Sequence, residues 1–256
     1  MIEPFLTPWG GNVLSFTSLD STSRYLWQLA ENGASAGTVV VADQQSAGRG
    51  RRGRQWHSPA GLNLYFSLLL RPLIELEKLP QLSLVAAAAL WQVLHNELLG
   101  LMIKWPNDLL SRGLKLAGIL AEMKPGANRA EFVIIGVGIN VNSEIQDFPP
   151  DLRGQVTSLK CESQKTVSLD LLLSKLLEEL FVFTELFDRV GLEGSIRDLI
   201  NLNFYLAGKD IVIHSGSEKI NCRAQRIDSN GGLVATLADG SVSSFNAGEA
   251  WLAKDD

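Results

Sequence analysis

Residues 48–54 read Gly-Arg-Gly-Arg-Arg-Gly-Arg, four arginines and three glycines in seven positions. Glycine at this density forbids a stable helix, and a block of like charge cannot be buried without partners. The segment is therefore a loop. It follows "GTVVVADQQ", an apolar run of strand type, and precedes "GLNLYFSLLL". In the latter, Leu62, Leu64, Phe66, Leu68 and Leu70 alternate with Asn63, Tyr65 and Ser67; a period of two specifies a strand. A strand–loop–strand unit with its charge at a strand end resembles the place where α/β proteins put ligands. Three readings compete for it: a nucleic-acid contact, a phosphate cradle, and a solvated loop.

Net charge decides against the first. The 256-residue chain carries a formal charge of −5, whereas a protein that coats nucleic acid is usually basic. The arginine loop is a local exception and needs a local reason. Two cysteines, Cys161 and Cys222, make no disulfide framework, and a reducing cytoplasmic setting is the simple expectation. The three histidines are scattered without metal-ligand spacing. "MIEPFLTPWGG" has no signal-peptide pattern, and the longest apolar run, "LSLVAAAAL", is about half a membrane span.

Along the chain, "NVLSFTSLD" reads as a strand and "DSTSRYLWQLAENG" as a helix capped by Asp20 or Ser21 and ended by Gly33. "LPQLSLVAAAALWQVLHNELLG" predicts one long helix closed by Gly100. "LMIKWP" is a strand stopped by Pro106, "SRG" a turn, and "LKLAGILAEM" and "EFVIIGVGINVN" are further strands. Leucine spacing predicts a helix over 169–190 and a shorter one over 192–202. After Tyr205 the texture changes to short strands, "DIVIHS", "KINCRAQRID", "GLVATLAD" and "SVSSFNAGEAWLA", separated by "GS", "SNGG" and "DG" turns. That pattern predicts a first domain over 1–205 and a small β-barrel over 206–256.

Four stretches carry chemistry. In the loop, Gly48 and Gly53 have Walker-A spacing, but Arg54 and Gln55 replace the Lys and Ser/Thr that would hold phosphate and magnesium. Its glycines let backbone approach a ligand, and its arginines grip carboxylate or phosphate in pairs. "GVGIN" matches only the first two glycines of a dinucleotide fingerprint, with Val141 at the third. It reads better as a strand end where a ligand lies close to Gly136 and Gly138, with Asn140 supplying amide hydrogen bonds. In "KWPNDLL", Asn107 and Asp108 form a polar mouth beside Lys104; the alternative is an ordinary strand-ending turn. Lys115, alone in the apolar run "LKLAGIL", either snorkels outward or aims its ammonium into a cleft.

Taken together, "DSTS", "GRGRRGRQW", "KWPNDLL", "KLAGILAE" and "GVGINVN", in this order and spacing, closely resemble biotin protein ligases, from about residue 14 to the C-terminus. The resemblance implies an α+β fold: a mixed-sheet catalytic domain resembling class II aminoacyl-tRNA synthetases, followed by a small SH3-like β-barrel. It implies a two-step reaction in which biotin and MgATP give biotinyl-5′-AMP and pyrophosphate, and a carrier lysine then takes the biotinyl group. The partner implied is the biotin carboxyl carrier protein of acetyl-CoA carboxylase. No membrane is expected, and neither is DNA, since the first motif begins near residue 20 and leaves no room for the operator-binding domain of some relatives. Oligomeric state, homodimer included, stays open.

The same resemblance assigns roles. It puts Ser21, Thr22 and Gln45 on the biotin ureido ring, joined by Ser23, which stands where the family often has Asn. Arg49, Gly50 and Arg51 wrap biotin and its carboxyl end, and Gly118 and Gly138 give its bicycle room. Arg51, Arg54 and Lys115 face the acyl phosphate. Trp56 stacks on adenine, Asn140 reaches adenine, and Asn107 lies on the ATP side. Lys104 stabilises charge near the phosphate, and Asp108 holds Mg²⁺ or steers the incoming lysine. Arg52 has no role and is expected in solvent. Lipoate or octanoate transfer on the same fold is the rival reaction.

Overall fold

The computed structural model of the chain describes residues 2–72, 75–127, 129–215 and 218–253. A seven-stranded sheet is formed by β1 (Val13–Leu19), β2 (Val39–Gln45), β3 (Leu64–Leu70), β4 (Leu101–Lys104), β5 (Asp108–Ser111), β6 (Leu114–Pro125) and β7 (Ala130–Ile139). Their spatial order is β1-β2-β3-β7-β6-β5-β4. β1 and β2 run parallel and every other neighbouring pair is antiparallel, so the sheet is mixed.

The alternation in β3 holds, but both of its faces are covered. Leu64, Phe66, Leu68 and Leu70 join the main core with helices α2 (Leu82–Leu94) and α4 (Leu169–Val190). Leu69 packs on the opposite face against Leu26 and Ala30 of helix α1 (Thr22–Glu31). Ser67 shares that second face and is fully buried, a polar residue placed under the start of α1 by strand periodicity alone. Helix α2 is buried almost all round, Ala86 to Ala89 included.

Two expectations change. The long helix stops at Leu94 rather than at Gly100, because the Trp91 indole N–H donates to the carbonyl of Leu101 at 2.9 Å and draws β4 back alongside the helix. Six more helical residues would carry the chain about 9 Å further along the axis. The segment 241–253 is two strands, not one. β11 (Val242–Phe245) and β12 (Glu249–Leu252) are separated at Gly248, whose φ of 142° lies outside what side chains allow.

Helix α3 (Leu159–Ser163) precedes α4, and α5 (Ser195–Leu202) leads into the C-terminal unit. There β8 (Asp210–Ser215), β9 (Glu218–Ile227), β10 (Leu233–Leu237), β11 and β12 form an antiparallel SH3-like sheet in the order β11-β10-β9-β8-β12. The turn expected at 216–217 lies outside the described residues. Asn201 of α5 clasps Ile227 through both backbone groups, and the Trp105 indole donates to Gly231 across the seam, each at 3.0 Å or less. The C-terminal sheet is thereby fixed against the edge of the large one, next to the β4–β5 turn.

Candidate active site

Helix α1 begins where β1 ends, beside the end of β2, and its N-terminus makes the floor of a cavity of about 620 Å³. Ser21 caps the helix, its side chain accepting from the Arg24 amide. The Thr22 amide and hydroxyl both donate to Gln45 Oε1, at 2.9 and 3.1 Å. The Ser67 hydroxyl lies 2.8 Å from that of Thr22 and 3.0 Å from that of Ser23. A helix start with short hydroxyls leaves donors and acceptors aimed out of an otherwise apolar core.

The wall is built from β6 and β7, where Gly118 and Gly138 face each other in register. The space above them is filled by the Trp56 indole, which a Cβ on Gly138 would approach to 2.5 Å and one on Gly118 to 2.9 Å. Among the described residues the buried Trp56 N–H has no partner, a state that costs about 1–3 kcal/mol and that an acceptor on a bound ligand would relieve. Lys115 lies 5.4 Å from the same ring and forms an ion pair with Asp108 at 2.9 Å, off the angle of a hydrogen bond. Asn140, buried at the end of β7, donates to the carbonyls of Thr157 and Lys115. Asn107 donates to the Ile119 carbonyl at 2.7 Å and accepts from Arg51 at 3.1 Å.

The arginine loop closes over this wall and lands on the C-terminal sheet. Arg51 donates to Asn107 and to the carbonyl of Gly248. Arg54 pairs with Glu249 of β12. Arg49 pairs with Glu122 at 2.9 Å. Trp251, half exposed at the cavity mouth, has Lys104 4.8 Å and Arg54 5.9 Å from its ring centre. Burial pushes the Lys104 ammonium below the ordinary lysine value; Asp108 opposes this, and Lys115 and Arg54 add to it. Burial likewise lowers Arg51. The cavity thus has an uncharged hydrogen-bonding end and a strongly cationic end. It suits a ligand that is apolar or amide-like at one side and anionic at the other.

Every residue singled out from the sequence for this site lines the one cavity: Ser21, Thr22, Ser23, Gln45, Arg49, Gly50, Arg51, Arg54, Trp56, Lys104, Asn107, Asp108, Lys115, Gly118, Gly138 and Asn140. Several of these and neighbouring side chains already have partners within the chain. Arg52 is exposed, as expected, and from there it donates to the His214 carbonyl and pairs with Glu249 at 3.7 Å, from a backbone with φ of 54°. The room above Gly118 and Gly138 is taken by Trp56. The Asn140 amide is spent on holding two carbonyls. Asp108 has Lys115 as its partner, and among the described residues no cluster of three acidic, His or Cys side chains could hold a metal ion.

Sequence reasoning missed Ser67, Glu249 and Trp251. The alternation of β3 carried a signal for Ser67, a hydroxyl at a buried position. Nothing local marks Glu249 or Trp251, which reach the cavity only through the docking of the C-terminal sheet.

Comparison with known proteins gives the same picture from another side. Residues 15–140 match the model of the biotin/lipoate A/B protein ligase family. The bifunctional ligase/repressor BirA of Escherichia coli is 33% identical over 250 residues, covering 95% of this chain and 74% of that protein. Its namesake in Bacillus subtilis is 49% identical over 152 residues, covering 59% of this chain but only 46% of its own length. This chain therefore spans about three quarters of the Escherichia coli protein's length and about half of the Bacillus subtilis protein's. The biotin protein ligase from Aquifex aeolicus, solved with biotin and ATP, superposes with a TM-score of 0.82 at 29% identity, covering 95% of this chain and 99% of that one. With identity above 30% across nearly its whole length, and with its five motifs gathered around one cavity, the chain belongs to the biotin/lipoate A/B protein ligase family.

Proposed function

We propose that this chain is an ATP-dependent biotin ligase that joins biotin to one lysine of a biotin carboxyl carrier protein. The observation that carries this reading is the two-ended cavity: short hydroxyls and Gln45 at one end, Arg51, Arg54, Lys104 and Lys115 at the other. The relatives are named as biotin ligases or were solved with biotin and ATP. Residues 1–205 form the catalytic unit and 206–256 the barrel, which contributes Glu249 and Trp251 to the mouth. No helix among the described residues is long and apolar enough to cross a membrane.

In the first step a biotin carboxylate oxygen attacks the α-phosphorus of ATP; the bond to the β-phosphate oxygen breaks and pyrophosphate leaves. Bringing a carboxylate to a triphosphate forces like charges together, and pre-placed cations lower that barrier. Lys115 and Arg54 sit where they can meet the phosphoryl oxygens, and Arg51 the carboxyl end. Lys104, desolvated against Trp251, is the fourth cation. In the second step a lysine amine attacks the mixed-anhydride carbonyl and AMP leaves; Asp108, beside Lys115, is placed to steer that amine. Mg²⁺ would come with the nucleotide phosphates, where it needs only one or two protein carboxylates, and Asp108 is the carboxylate beside Lys115 that could meet it. Exclusion of water by the arginine loop protects the adenylate from hydrolysis.

The test is mass spectrometry of the protein after incubation with MgATP and biotin, lipoate or octanoate in turn. Biotinyl-AMP alone is expected. An acyl-AMP from lipoate or octanoate, or no adenylate from biotin, refutes the assignment.

A further inference from the structure

The polar floor and the arginine loop are joined through Ser58, which lies behind Gln45 and outside the cavity lining. Gln45 Oε1 accepts from the Thr22 amide at 2.9 Å; a backbone N–H can only donate, so the orientation of the Gln45 amide is fixed. Its nitrogen therefore faces Ser58 and donates to Ser58 Oγ at 3.1 Å. Ser58, accepting there, gives its own proton to the carbonyl of Trp56, also at 3.1 Å. The Trp56 amide in turn donates to the carbonyl of Gly48 at 2.9 Å. The chain of donors runs from the floor through Gln45 and Ser58 to both ends of the loop.

Gly48 marks how tightly this junction is built. A Cβ there would lie 2.6 Å from the Trp56 carbonyl oxygen, 2.8 Å from Ser58 Oγ and 3.1 Å from the Gln45 amide nitrogen. Its φ is not in the left-handed region, so close approach alone requires glycine. The first glycine of the loop is thus the point on which the three groups of the relay converge.

We propose that Ser58 is a positioning residue that transmits occupancy of the floor to the arginine loop. A ligand engaging Thr22 and Gln45 stiffens the Gln45 amide, and Ser58 passes that constraint to Trp56 and Gly48, which hold the loop with its arginines over the cavity. The proposal rests on the reading of the floor as the biotin end.

The experiment uses the full chain with trypsin, which cleaves in the loop after Arg49, Arg51, Arg52 and Arg54, with and without saturating biotin, and calorimetry to measure biotin binding. In the wild type, biotin slows cleavage. In Ser58→Ala the floor remains, so biotin binds with its dissociation constant raised about three- to tenfold, the worth of one hydrogen bond, yet cleavage at saturation stays near the ligand-free rate. Gly48→Ala, which wedges the same junction without removing a donor, gives the same uncoupling. Ser58→Thr, which keeps the hydroxyl, restores protection. Full protection in saturated Ser58→Ala overturns the proposal, as does failure of Ser58→Thr to restore it. Complete loss of biotin binding in Ser58→Ala also overturns it, since Ser58 would then merely hold the floor together. No biotin binding by the wild type removes the assignment of the site itself.

Discussion

Gly138→Ala isolates the contact between the sheet and the Trp56 indole. Gly138 pairs with Tyr65 on one side and Gly118 on the other, so its backbone cannot retreat from the middle of the sheet. Its φ is ordinary, and alanine adds no backbone strain. The new methyl would stand 2.5 Å from the ring, where ordinary contact begins at 3.4 Å, so the rigid indole must withdraw by 3.4 − 2.5 = 0.9 Å. Overpacking of this kind costs about 1–3 kcal/mol, a fall of about 2–12 °C in melting temperature for a domain of this size. The displaced ring also leaves Lys115 and tilts the wall, so the KM for biotin should rise more than kcat falls. The check is thermal unfolding with steady-state pyrophosphate release, run as a cycle with Trp56→Ala. Because the clash needs both groups, the double variant should be more stable than the sum of the singles. Strict additivity, or a Gly138→Ala protein with wild-type melting and KM, refutes the argument. Gly118→Ala should be milder, because its further neighbours, at 3.2 and 3.3 Å, are the mobile end of Lys115.

Lys115→Ala should cut pyrophosphate release about ten- to a hundredfold, the worth of a charge-assisted contact of about 1.5–3 kcal/mol; an unchanged rate removes Lys115 from the chemistry. Lys104→Met has a signed pH dependence. The folded state holds this lysine below 10.5, so the unfolded chain binds its proton more readily, and the lysine weakens the fold most below the depressed value, where it must stay charged. The variant should therefore melt higher than the wild type near neutral pH, with the gain shrinking as pH climbs toward 10.5; a lower melting temperature at neutral pH contradicts this. Glu249→Gln removes the counter-ion of Arg54 and Arg52 and should speed tryptic cleavage of the ligand-free loop a few-fold, as befits a half-exposed ion pair; unaltered cleavage shows that the pair does not hold the loop.

The elements with strong periodicity were legible in sequence. The 169–190 helix is seen at Leu169–Val190, and the strand texture after Tyr205 became a five-stranded sheet. Both are cases where local pattern and final burial agree. The end of α2 was not legible, because the Trp91–Leu101 hydrogen bond that terminates it is made by a side chain reaching across a turn. Position in the site was readable from spacing, since motif residues from five strands and loops line one cavity. Partnership was not. Asp108 with Lys115, Arg52 with His214 and Glu249, and the occupation of the glycine-lined space by Trp56 depend on which side chains meet across the sheet and across the seam to β12, and no local pattern encodes that meeting.

One guanidinium straddles that seam. Arg51 holds Asn107 on the β4–β5 turn with one nitrogen and Gly248, at the entry to the last strand, with the other, at 3.1 and 3.2 Å. Tilting the small sheet by as little as an ångström would stretch one of these bonds past its useful length. A load on that sheet from outside therefore has a mechanical line to the turn that lines the cavity.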